Sequence, residues 1–510
     1  MKTISKYSLI SLLSVFILLA CDDGFDEMNT NPVLLTSVDP VFQLNYSLIQ
    51  MAPRYNNLTY ETTIVRQMIT PFVGVGTGGN LNQDNRSATQ GNWQFLYRNV
   101  IKNMVDAVET ASQDPDKPNL VSMLRIWKAY AFMVATDTYG DVPYSEASRG
   151  YLDGTVFPVY DPQQSIYMDI LDELSSAAST LNESNEAVPQ DALYGGDITR
   201  WKRLGYSLLL RAAMRLSKVD QATAQQYVAT AVAGGLMESN LDNAVMRHTA
   251  DFRNDVGTNV NGGQAPFYYL DEEFVNWMKA HNDPRLPAIG VRYVGAAQEG
   301  DQTEENADRT FAAQIGMPQG YNNTTIPPIA EGLGLASLYD FSQMDRNRLG
   351  NPEAPSFLVT YSQTRLLLAE AIVRGWATGD AAAEYENGIR GNMIQFSQWP
   401  GDTDIAPADI DAYISANSLA AGTEAAIEEI NEQYWMSSYL NGYEAWANFR
   451  RSGYPDVAPN PLQGDLQSED FIRRLTYPDS ERTVNKANVD AAVARMGPDI
   501  LDTRVWWDVN

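Results

Sequence analysis

One cysteine, Cys21, stands in a chain of 510 residues, so no disulfide can close within it. Whatever this chain folds into must therefore be held without a covalent cross-link within it. The residues before that cysteine add a second constraint. Lys2 and Lys6 give a positive start, and Ser8 to Ala20 is an almost wholly apolar run. That run falls short of the ~20 residues a membrane-spanning helix needs. A short apolar core after a positive start, ended by small residues, is the pattern of a secretory signal.

The run ends in Leu18-Leu19-Ala20-Cys21, which resembles the bacterial lipobox. In that motif the cysteine is acylated and becomes the new first residue. The expectation is a signal peptide over residues 1–20, a lipidated N-terminus and tether over 21–35, and a single domain over 36–510. Each buried CH₂ of an acyl chain adds ~0.8 kcal/mol, so several chains anchor a protein without a spanning helix. No later segment is apolar enough to cross a bilayer, so the membrane is met only through the lipid. The formal charge is −28, and removing residues 1–20 makes it two units more negative. A surface this acidic repels nucleic acid and shows no basic patch of the kind that binds phosphates. The run Asp22-Asp23-Gly24-Phe25-Asp26-Glu27 reads as a solvated tether, and it resembles the signal that displays Bacteroidetes lipoproteins on the outer face.

Two helical stretches, about 93–235 and 362–440, flank an irregular one at about 241–356. Leu120, Leu124, Trp127, Ala131 and Val134 fall at helical spacing. Asp161-Pro162 reads as a cap and first-turn proline for a helix through Ile166, Ile170, Leu174 and Ala178. Trp201, Leu204, Leu208, Ala212 and Leu216 mark another. Leu367 through Glu370 and Gly375 to Tyr385 has the small-residue spacing of a tetratricopeptide-like hairpin. The fold class expected is all-α: helical hairpins in an α-α superhelix, carrying a long loop-rich half. Long ordered loops tend to be functional, so 241–356 and the similar loop from Phe72 to Asn92 are where a ligand is sought.

Catalytic and metal chemistry find little footing. His248 and His281 are the only histidines, which excludes a His/Cys zinc site and disfavours a Ser-His-Asp triad; both are expected at surfaces or turns. Gly74, Gly76 and Gly79 match a dinucleotide-binding spacing, but Pro71 precedes them and an Asn-rich stretch follows in place of a helix. Asn80, Asn82 and Asp84 have calcium-loop spacing, with Asn85 and Gly91 where the loop wants glycine and glutamate. No cofactor is expected beyond the acyl lipid on Cys21, with calcium at the Asn80–Asp84 spacing as the open alternative. Two facing carboxylates of a glycosidase cannot be named among 64 acids. Aromatics are the remaining signal, with 10 Trp, 27 Tyr and 16 Phe. Asn82, Asp84, Trp93, Tyr268 and Tyr321 are the expected ligand contacts, chosen by loop position and residue type, and Tyr269 is a further loop aromatic; Trp127, Trp201 and Trp435 are expected in the core. Arg203, Ser207, Arg211 and Arg215 form an i, i+4 stripe expected to make ion pairs.

Several stretches resemble the SusD/RagB family of nutrient-binding outer-membrane lipoproteins. They include Phe25 to Pro32, Thr136-Asp137-Thr138-Tyr139-Gly140-Asp141-Val142-Pro143-Tyr144, Leu208 to Leu216, Leu367 to Ala371, Tyr443-Glu444-Ala445-Trp446 with Arg450-Arg451-Ser452-Gly453, Arg473 to Pro478, and Val505-Trp506-Trp507-Asp508. The matches span the chain in order. The resemblance implies four tetratricopeptide-like hairpins against an irregular half, and a partner that is a SusC-like TonB-dependent β-barrel transporter. It implies a non-catalytic protein on the outer membrane, facing the exterior, that catches an oligosaccharide and acts as lid on the barrel. A peptide ligand, a ligand-free gating role and a helical glycoside hydrolase are the alternatives. The acidic charge favours neutral sugars or basic peptides over polyanionic glycans. Asp141 and Tyr144 are read as bracing the fold, not as a site.

Overall fold

The computed structural model describes residues 38–72 and 78–509. Cys21, its tether, and Gly74 and Gly76 lie outside the described residues.

The frame is a series of helix pairs. α1 (Pro40–Gln50) packs on α2 (Lys102–Ala111), α3 (Pro118–Tyr139) on α4 (Gln163–Thr180), α5 (Ile198–Arg215) on α6 (Gln221–Gly234), and α7 (Tyr361–Val373) on α8 (Ala381–Gln395). Contacts of α2 with α3, α4 with α5, and α5 with α7 join each pair to the next, as a superhelix of hairpins requires. Pro118 supplies the preset φ of a first helical residue, and α3 is buried over most of its 22 residues. A helix apolar nearly all round belongs in the centre of a packed layer. It stops at Gly140, whose φ of +82° suits only glycine, and whose Cα lies so close to Met496 that a Cβ there would overlap it. The expected hairpin around Leu367 and Tyr385 is the α7–α8 pair, turned at Gly375 with φ +74°.

α4 starts differently from its expected cap. Pro162 is the N-cap residue, Asp161 instead accepts the backbone N–H groups of Tyr144 and Ser145, and the carboxylate that caps Gln163 N at 2.9 Å is Asp141. Asp141 also pairs with Arg495 at 2.8 Å, which ties the end of α3 to the C-terminal helix Lys486–Met496. Bracing by Asp141 is thus observed, through a cap supplied from 22 residues away. Tyr144 likewise donates its hydroxyl to Asp169 on α4.

The segment expected to be irregular carries short helices at Asp255–Val260, Glu272–Ala280, Leu286–Ile289 and Pro327–Gly332. It also carries short strands. β1 (Met68–Ile69) pairs antiparallel with β3 (Tyr269–Leu270), and β2 (Ala244–Met246) with β4 (Ser356–Val359). A three-stranded sheet orders Ala307–Asp308, Gly290–Tyr293 and Gln343–Met344. One large apolar cluster runs from Val41 to Trp507, and a satellite of Ile69, Tyr269, Met317, Ile326 and Phe341 lies beneath the loops. His281 closes the helix Glu272–Ala280 at the expected turn. His248 does not lie on the surface: it is buried, its Nε2 3.1 Å from Ser356 Oγ and its ring stacked on Phe252.

The sequence motifs meet in the helical core as buried ion pairs. Arg215 pairs with Glu444 at 2.6 Å and with Asp137 at 3.3 Å, and Arg211 pairs with Glu444 at 3.3 Å. Trp507 donates its indole N–H to Asp137, and the Tyr434 hydroxyl donates to Glu444. Beside this network, both terminal nitrogens of Arg451 donate to Glu370, at 2.7 and 2.6 Å. Arg374 adds a pair to Glu370 at 2.8 Å. The arginine stripe of α5 is therefore internal at Arg211 and Arg215, while Arg203 at its outer end pairs with Asp242.

Candidate functional site

The antiparallel register of β1 with β3 sets Ile69 opposite Tyr269. Phe72, just past β1, and Phe267, just before β3, therefore lie at the same end of the pair. Their ring centroids lie 4.6 Å apart. Tyr339, from the one-turn helix Leu338–Asp340, adds a third ring 6.4 Å from Phe72. All three rings are partly exposed and pack down on the buried apolar clusters.

The support under these rings is polar and well tied. Asp340 accepts from Arg292 at 2.9 Å and from Ala336 N at 3.0 Å, which fixes the turn that carries Tyr339. Gln302 donates to the Tyr339 carbonyl at 3.0 Å. Asn323 N donates to the Pro71 carbonyl at 2.7 Å, and Asn80 Nδ2 donates to the Tyr321 carbonyl at 2.8 Å. Tyr269 beneath is buried, and burial pushes its hydroxyl far above the usual tyrosine range. It stays a neutral, structural ring at any working pH. Flat apolar faces with hydroxyl and amide groups around them suit the C–H face and hydroxyl edge of a sugar ring.

The expected contacts fall unevenly about this platform. Tyr321 packs on the same satellite cluster. Trp93 does not sit on a loop: it lies in the helix Arg86–Phe95, 4% exposed, stacked on Tyr97 and edge-on to Tyr139 and Tyr477. Tyr268 is also in the core, 3% exposed, with its hydroxyl 3.5 Å from Thr59. Rings so enclosed have no face to offer a ligand. Asn82 is buried and donates to the Leu462 carbonyl at 2.9 Å, in a backbone of φ +48°. Asp84 pairs with Arg86 at 3.1 Å and accepts from Thr476 at 2.6 Å. Asn80, the third residue of the calcium spacing, spends its amide on Thr70, Tyr321 and Gly320. These three side chains brace the loop against Leu462, Thr476 and the loop at 320. No group of three or more His, Cys, Asp or Glu placed to hold a metal ion occurs among the described residues.

Phe72, Phe267 and Tyr339 were missed because what joins them is a two-residue strand pairing across some 200 positions, which leaves no periodicity to read. The carboxylates with the most raised proton affinity are not in a cleft either. Burial pushes Glu61 and Asp271 each up to about 7, and both are fully enclosed. A cleft of about 940 Å³ lies elsewhere and shares no residue with the rings. For a glycan the stacking faces decide, since an open shelf admits a polymer of any length.

Comparison with known proteins covers most of the chain. A SusD-like family model, described as starch-binding associating with outer membrane, matches residues 32–478. Among solved structures, a chitin-binding protein is 30% identical, with a TM-score of 0.80, over 92% of this chain and 100% of that one. A Bacteroidetes SusD-like protein is 27% identical, with a TM-score of 0.81, over 93% of this chain and 100% of that one. A chitin-binding SusD homolog from Flavobacterium johnsoniae has the same fold, at 23% identity and a TM-score of 0.75, over 92% of this chain and 98% of that one. The search of curated proteins gives no match. No helix among the described residues is long and apolar enough to cross a membrane.

Proposed function

This chain belongs to the SusD-like family, and from that premise we propose that it captures a neutral oligosaccharide at the cell surface. It does so without cleaving it, and passes it to a SusC-like TonB-dependent β-barrel over which it sits. The lipid on Cys21 keeps protein and barrel together at high effective concentration.

The observation that carries this reading is the three-ring shelf of Phe72, Phe267 and Tyr339 on its satellite core. Stacking on such rings is tolerant of chain length and needs no charge. A neutral glycan also avoids the repulsion that a chain of charge −28 imposes on polyanions. A β-linked N-acetylglucosamine oligomer is the first ligand class to try, because a 30% identical relative is a chitin-binding protein. Starch oligomers come next, from the family's description.

The test uses the full chain with Cys21→Ser, titrated by calorimetry with both oligomer classes, followed by chromatography of the recovered sugar. Saturable binding of one class with the sugar intact is the expected result. Cleaved sugar would replace this reading with a hydrolase, and no heat with any glycan would replace it with a gating subunit.

A further inference from the structure

The 940 Å³ cleft lies between the start of α5, the segment from Glu238 to Phe252, and the outer side of α7 and α8. It is built unlike a sugar shelf. Its lining holds Arg200, Arg247 and Arg390 against one carboxylate, Glu238. Glu238 is already taken by Arg203, and Arg390 pairs with Asp411 at 2.8 Å. Among the described residues no carboxylate lies within 4.0 Å of the guanidinium of Arg200 or Arg247. Arg200 is held by the Leu241 carbonyl and lies 4.3 Å over the Tyr194 ring, with its Nε buried and without a hydrogen-bond partner. Arg247 is exposed and donates only to Gln398, at 3.0 Å.

Two unpaired arginines on one cleft are unusual in a protein with 64 acids and 36 Lys and Arg. Between them the lining is apolar. Leu241 is 77% exposed and Ile394 49% exposed, with Phe252 and Tyr361 beside them. Exposed apolar side chains gathered on one cleft and rimmed by polar residues suit an interaction site. The wall also includes β2, which pairs with β4 on one side and carries no second ladder among the described residues. Of its three residues only Val245 is partly exposed, Ala244 and Met246 being buried.

We propose that this cleft is a second binding site, and that its ligand is an extended acidic peptide with apolar side chains, supplied in trans. Its carboxylates meet Arg200 and Arg247, and its apolar side chains cover Leu241, Ile394 and the partly exposed Val245. The site is independent of the glycan shelf, so either can fail without the other. The sign of its charge selects acidic peptides, opposite to the basic ones that the whole-chain charge favours, because interactions beyond about 8 Å are screened at physiological salt and the local arginines decide.

The test is fluorescence anisotropy of a short labelled peptide alternating glutamate and leucine, with lysine in place of glutamate as control, on the full Cys21→Ser chain. The glutamate peptide is expected to bind saturably, more weakly at high salt, and the lysine peptide not to bind. Arg247→Glu and Leu241→Asp change exposed side chains and leave the fold intact, and each is expected to weaken binding about tenfold or more. No binding, or binding that neither variant alters, overturns the proposal. Binding seen only after residues 22–37 are deleted also overturns it, since the cleft would then belong to the protein's own acidic tether.

Discussion

Glu370 and Arg451 show how a buried charge is tolerated in this core. Burial raises the proton affinity of Glu370, but Arg451 and Arg374 outweigh it and hold the carboxyl at about 2. Because the folded value lies below the unfolded one, this stabilisation is present above pH ~4.5 and is lost as the pH falls toward 2. Arg451→Ala leaves the Glu370 charge half-satisfied, and should cost about 3–5 kcal/mol in urea unfolding at pH 7; a loss under 1 kcal/mol would mean the pair adds little. Glu61 is the opposite case. Burial pushes its carboxyl up to about 7, and its hydrogen bonds and the more distant Arg450 do not offset that. Between pH ~4.5 and 7 the folded protein holds a proton that the unfolded chain releases, so Glu61 makes stability fall as pH rises. Glu61→Gln should therefore equal the parent at pH 4 and exceed it at pH 8, by up to about 3 kcal/mol. A pH-independent difference between the two thermal unfolding curves would contradict this.

At the scale of elements, close approach of helices sets what the frame accepts. A Cβ built on Gly388 would lie 2.6 Å from Leu366 Cγ, so α8 rests on α7 with no room for a side chain. Gly388→Val should push the pair apart at a cost of about 1–3 kcal/mol, measured by denaturant unfolding. Gly205 does the same where α5 crosses α3 and α4, at 2.8 Å from Ala178 and 2.9 Å from Ile126. These helices were legible in the sequence because each buries a stripe at 3.6-residue spacing, as Leu120 to Val134 and Trp201 to Leu216 do. The helix Arg86–Phe95 was not, since its Gly and Asn hide a period that Trp93 alone cannot reveal. Strands of two residues leave no alternation to read, which is why β1 and β3, and with them the ring shelf, escaped. The acidic partners of the ion-pair networks escaped for a related reason. Helical spacing marked Arg211 and Arg215 as ion-pairing residues, but Arg215 and Glu444 pair across 229 positions, and the acids Asp137 and Glu444 entered the sequence reading only through the family resemblance.

At the scale of the molecule, a stiff helical frame carries a loop-rich half, with one surface on the loops and a second, of different chemistry, where the loops meet the frame. The shelf at Phe72 is aromatic and uncharged, and the cleft at Leu241 is aliphatic and cationic. The central claim is that the shelf binds a glycan by stacking. Calorimetry of the Cys21→Ser chain and its Phe72→Ala and Tyr339→Ala variants against the glycan that binds tests it directly. Each variant should keep the parent's thermal unfolding to within a few degrees and bind about tenfold or more weakly, on the order of 1.4 kcal/mol per ring. Unchanged affinity in folded variants of both rings would place the glycan elsewhere and contradict the account.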